Sequence, residues 1–265
     1  MSVLVTVVIT AGIGAGVGGL LGRIFDGMRG KPSHAAGILG ILLALAGAFA
    51  AVRLTPPTVP PSVEADLDAA GPAYKVIHRY YPEVFAQMAA DARSVDPKDP
   101  IALQNKIRPH LSALVGAHRA EMDDTSVNAL GRLMLEETQA LQGPSPLSCV
   151  AILGGGGKTT VDMGSVFTPQ MVRTDSEVTA AIIEQVATRP ATPPAKLTDT
   201  ETRALLDEAL APLSSDEQKA VMPLLLQQRT PATTEEARAF CAFYRSLFTT
   251  ALRGRDQTLR RFLAN

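Results

Sequence analysis

Between positions 198 and 236 the chain reads TDTETRALLDEALAPLSSDEQKAVMPLLLQQRTPATTEE. Within it a Ser or Thr is followed three residues later by Glu at Thr198 and Glu201, Ser214 and Glu217, and Thr233 and Glu236. A fourth such pair, Thr174 and Glu177, lies upstream. Each pair has the form of a capping box, in which a hydroxyl and a carboxylate satisfy the first free amides of a helix. Starts that recur this closely predict successive helices.

The pattern extends both ways. Downstream, Phe240, Phe243, Tyr244, Leu247 and Phe248 share one side of a long helix. A short last helix over 257–263 ends in Arg260 and Arg261, which suit the negative end of a helix dipole. Upstream, Ile77, Tyr81, Val84 and Met88 step by four and three, with a break or kink expected at Pro82. Leu103, Ile107, Leu111 and Leu114 do the same, with an interruption expected at Pro109, and Val127, Leu130, Met134 and Leu141 follow. Residues 149–153 form a short apolar run that fits either one strand or the start of a buried turn. Pro190 to Pro194 reads as a surface linker, with a subdivision expected near 190–197. The expected fold is all-α: a two-helix transmembrane hairpin over 1–53, a Pro-rich spacer over 54–62, and a multi-helix soluble domain over 63–265.

The hairpin rests on two uncharged stretches, 2–21 and 35–52, each just long enough to cross a hydrocarbon core of about 30 Å. The segment between them carries Arg23, Arg29 and Lys31 against Asp26 alone. The positive-inside rule puts that loop in the cytoplasm, and so the domain in the periplasm of a bacterial inner membrane. Small residues recur every four positions, at Gly12 and Gly16, Gly14 and Gly18, and Gly40 and Ala44, so that two backbones can approach closely. This spacing resembles the glycine-zipper segments of bacterial envelope proteins; the resemblance covers about 20 residues and implies no function. It suits packing of the two helices on each other, with self-association or another envelope protein as a further partner. Ala48-Phe49-Ala50 after a basic and then apolar run also has the form of a signal-peptide cleavage site; cutting near Ala50 would leave the domain in the periplasm.

Net charge is −1, Trp is absent and aromatics are 5%, so neither a basic field nor stacking platforms point to nucleic acid. The two cysteines, Cys149 and Cys241, form no CxxC pair, and a domain outside the cytoplasm would join them in a disulfide.

Residues 154–160 read GGGGKTT after an apolar run, as a phosphate loop does. A Walker A motif aligned on Gly157, Lys158 and Thr159 needs Gly at 152, where Ile152 stands, and no parallel-sheet pattern surrounds it. Gly154, Gly155, Gly156, Gly157, Lys158 and Thr159 are kept as a loop for a partner or anionic ligand. His110, His118 and Glu121 are spaced too widely for an ordinary zinc site. No metal, cofactor or catalytic residue is expected. The expected role is binding or scaffolding in the envelope, against the alternative of a periplasmic enzyme with its site near the 154–160 loop.

Overall fold

The computed structural model describes residues 62–264 except 97, 154–160, 228 and 255–256. The hairpin and almost all of the spacer lie outside the described residues. Among those described there is no strand, and no helix is long and apolar enough to cross a membrane.

Proline and short polar side chains set most of the helix starts. Pro72, Pro82, Pro100, Pro146 and Pro169 each open a helix, where the missing N–H needs no partner and the fixed φ is already helical. In order the helices are α1 (Val63–Ala70), α2 (Pro72–Tyr80), α3 (Pro82–Arg93), α4 (Pro100–His118), α5 (Asp124–Gln142), α6 (Pro146–Ile152), α7 (Pro169–Thr188), α8 (Asp199–Leu210), α9 (Ser215–Gln227), α10 (Thr234–Arg253) and α11 (Thr258–Leu263). Side chains of Ser62, Asp99, Asp123, Thr168, Thr198 and Thr233 accept from first-turn amides, an arrangement that typically stabilises a helix by about 1 kcal/mol. The break at Pro82 falls as expected: Tyr81 leaves the helical region, as a residue before proline tends to.

Helix α10 is the hub and packs against α5, α6, α8, α9 and α11. Its Phe240, Phe243, Tyr244, Leu247 and Phe248 are all buried. Helix α7 lies against α2 and α5, while α3 packs on α4. The apolar core includes residues from before and after the 190–198 segment, among them Ile77, Met134, Ile183, Leu206 and Phe243. Cys149 of α6 and Cys241 of α10 are joined by a disulfide inside this core, their Cα atoms 6.3 Å apart.

Three expectations need correction. Helix α4 runs unbroken through Pro109. Proline removes one backbone hydrogen bond, and buried Ile107, Leu111, Leu114 and Val115 hold the turns on either side of it. Residues 149–152 are helical: Pro146 starts α6, and its i→i+4 bonds begin with the Cys149 N–H donating to the Ser145 carbonyl at 3.0 Å. Thr174 and Glu177 lie inside α7, which has already begun at Pro169 with Thr168 as its cap; the Thr174 hydroxyl accepts from the Gln170 side chain instead.

Candidate functional site

A groove of about 310 Å³ opens along one flank of α10. Ala242, Ser246, Thr249, Thr250 and Arg253 recur at helical spacing beside the buried aromatic face, and Arg245 adjoins them. The opposite wall is the α8–α9 turn with Pro212, Leu213 and Glu217. This wall is held by the expected capping box: the Ser214 N–H donates to Glu217 Oε2 at 2.8 Å, and the Glu217 N–H donates to Ser214 Oγ at 3.3 Å. The Gln218 side-chain amide closes the turn by donating to the Leu210 and Leu213 carbonyls, both at 3.0 Å. Arg245 donates to Gln142 Oε1 at 2.6 Å, and Thr249 donates to the Arg245 carbonyl at 2.7 Å. The groove is mixed in character, with Pro212, Leu213 and Ala242 beside its polar side chains, and is reached by solvent, which suits recognition of a ligand with polar groups.

A second cluster lies deep inside. Tyr74 of α2, Glu137 of α5 and Asp175 of α7 are fully buried where α7 packs on α2 and α5. The Tyr74 hydroxyl, both Glu137 carboxyl oxygens and Asp175 Oδ2 have no hydrogen-bond partner among the described residues. Asp175 Oδ1 accepts from the Thr179 hydroxyl at 3.4 Å. Burial drives the Glu137 carboxyl well above its ordinary range, and neighbouring Glu136 adds to this. Asp175 is driven up by burial and by the charge of Glu137, against the Thr179 hydrogen bond. Tyr74 is raised by burial and then by Asp175. Burial thus favours the protonated form of both acids. Both carboxyls are sealed from solvent, so neither is placed to meet a substrate. The sequence carried a signal for them: Glu137 continues the Val127, Leu130, Met134 and Leu141 stripe, and Asp175 sits between Val172 and Thr179 on the buried side of α7.

The structure does not bring the histidines together. His110 meets Asp91 Oδ2 at 2.8 Å, with Lys106 at 3.9 Å from the same carboxylate. His118 Nδ1 meets Glu121 Oε2 at 2.7 Å, and its Nε2 is 3.3 Å from the Tyr81 hydroxyl. His78 pairs with Asp68 and stacks on Phe85, ring centroids 4.0 Å apart. Among the described residues no group of three or more His, Cys, Asp or Glu is placed to hold a metal ion. Asp123 caps α5 through the Ser126 N–H at 2.8 Å, and Asp124 meets Arg260, so the two acids mark a helix start as expected. The Gly154, Gly155, Gly156, Gly157, Lys158 and Thr159 loop, and the small residues Gly12, Gly14, Gly16, Gly18, Gly40 and Ala44, lie outside the described residues. No family model, no characterised protein sequence and no solved structure matches the chain.

Proposed function

We propose that the chain is a membrane-tethered, extracytoplasmic helical protein that binds or scaffolds a component of the bacterial envelope without catalysis of its own. The observation that carries this reading is the buried Cys149–Cys241 disulfide between α6 and α10. Structural disulfides persist in oxidising compartments and are rare in the cytosol. The uncharged stretches 2–21 and 35–52, with a basic segment between them, support a tether in the same orientation. The small-residue stripes of those stretches supply a face for packing on each other or on an envelope partner. A role in binding is supported by the open groove on α10 with its two arginines, since the buried acids are closed to solvent.

Thiol labelling in intact cells tests the reading. Cys149 and Cys241 are expected to resist a thiol reagent under denaturing quench until reductant is added. Ready labelling of both without reductant would place the domain in a reducing compartment and end the proposal. A reporter fused after Asn265 gives an independent topology measurement.

A further inference from the structure

The two cationic side chains of the α10 groove stand near its ends. Arg245 and Arg253 are eight residues apart, which separates them by about 12 Å along the helix axis. Ser246, Thr249 and Thr250 lie between them on the groove's lining; the Thr249 hydroxyl gives its hydrogen to the Arg245 carbonyl and can only accept. Arg253 has no hydrogen-bond or ion-pair partner among the described residues, and Arg245 has four further N–H donors beyond the one given to Gln142. Glu217, the sole acid of the lining, accepts both the N–H and the hydroxyl of Ser214, at 2.8 Å each, and is committed to the start of α9. An arginine in the last turn of a helix complements the dipole, which accounts for Arg253 but not for Arg245 in the middle of α10. Guanidinium groups pair with phosphate and carboxylate oxygens through two parallel N–H bonds.

We infer that this groove binds an elongated ligand with an oxyanion at each end, long enough to reach from Arg245 to Arg253, whose backbones stand about 12 Å apart along the helix. The inference rests on the binding role proposed above and names the ligand chemistry of that site. Arg245 takes one anionic group, Arg253 the other, and the three hydroxyls meet the polar body between them. Phosphate and carboxylate satisfy the same forks, so the class is defined by its two oxyanions and their spacing.

The test uses the full chain in lipid nanodiscs, titrated calorimetrically with straight-chain diphosphonates of two to ten methylenes and with dicarboxylates of the same lengths, against empty nanodiscs. Saturable binding with an optimum among the longer spacers is expected in at least one series, and a monophosphonate should bind more weakly. Arg253→Ala should weaken the best probe about tenfold and remove its length preference, the loss typical of one charged hydrogen-bonding partner. Arg253→Lys should restore part of the affinity. Both arginines are exposed, so unchanged melting of the variants will show that the fold survives. No saturable binding in either series, or binding indifferent to Arg245→Ala and Arg253→Ala, overturns the inference. Such a failure with the cysteines still protected in cells removes the ligand class alone; freely labelled cysteines remove the compartment and leave the groove standing.

Discussion

Arg261 of α11 grips Glu201 of α8 with both ends of its fork, Nη1 to Oε1 at 2.8 Å and Nη2 to Oε2 at 2.9 Å. The same guanidinium donates to the Ala195 and Lys196 carbonyls, both at 3.1 Å. Its neighbour Arg260 donates to the Thr192 carbonyl at 2.6 Å and the Met122 carbonyl at 2.8 Å. The irregular segment before α8 is thus pinned by two consecutive side chains from the end of the chain. Glu201 is also the capping carboxylate of α8, accepting from the Thr198 N–H at 2.7 Å. Arg261, followed by Thr198, holds its carboxyl down to about 2.

Arg261→Met should therefore release the 190–198 segment while leaving the core intact. Amide exchange at 191, 192 and 195–197 should accelerate, with a modest loss of stability at neutral pH that fades as pH falls toward about 2. A depressed carboxyl contributes stability that is present above its ordinary value of 4.5 and is lost as pH falls toward about 2. The variant should show a shallower loss of stability over that interval. Identical exchange and identical acid melting curves in the two proteins would refute this account.

The buried acids predict a dependence of the opposite sign. Their folded-state values are raised, so the unfolded chain ionises first and folding weakens as pH climbs above about 4. Glu137→Gln and Asp175→Asn remove the ionisation while keeping the shape. Each should raise the melting temperature at pH 8, by about 2–4 °C for every kcal/mol recovered, and change it little at pH 4. Destabilisation at pH 8 by both variants would show that a carboxylate is needed there.

Reduction of the Cys149–Cys241 bridge, whose cysteines are 92 residues apart, should lower unfolding stability by about 4 to 5 kcal/mol in the chain-entropy description. Urea unfolding with and without reductant measures it, and the Cys149→Ala, Cys241→Ala double variant should unfold at the reduced midpoint. An unchanged midpoint would mean that the bridge adds nothing to stability.

Gly131 marks a close approach of α5 to the end of the chain. A Cβ there would lie 2.6 Å from Leu259 Cδ2 and 3.1 Å from Leu252 Cδ2. Both are ends of flexible side chains, so Gly131→Ala should be tolerated with a small shift, while Gly131→Val should cost about 1–3 kcal/mol. Chemical denaturation of the two variants is the check; equal stability of Val and Gly at this site would contradict the packing.

The helical architecture was legible because it is written locally. The boxes at Thr198 and Ser214 both form, the α10 aromatic stripe is buried, and Pro82 divides two helices where proline must. The Thr233 box forms only halfway: its hydroxyl accepts the Glu236 N–H at 3.1 Å, but the Glu236 carboxylate turns to Arg229 and the Ala232 N–H. That choice depends on where Arg229 lands, which no three-residue pattern encodes. At Pro109 the one lost hydrogen bond is local, whereas the packing of Ile107, Leu111, Leu114 and Val115 that keeps the helix whole is not. Arg260 and Arg261 suit their own helix dipole by position, yet their partners include carbonyls 65 to 138 positions away. The groove was not legible because its walls come from α10 and from a turn distant in sequence, and only folding lays them side by side.

The bridge between α6 and α10 also sets how the domain yields to mechanical load. If the chain were held at its N-terminal side and pulled from its C-terminus, tension would pass directly from Cys149 to Cys241. The 92-residue span between them would bear none of it, and roughly 310 Å of chain, at about 3.4 Å per residue, would be withheld from extension. Helices α7, α8 and α9 and the wall of the groove lie wholly within that shielded loop. Stretching would thus strip α1 to α5, the tail of α10 and α11 while covalently sparing the loop that carries the groove's outer wall.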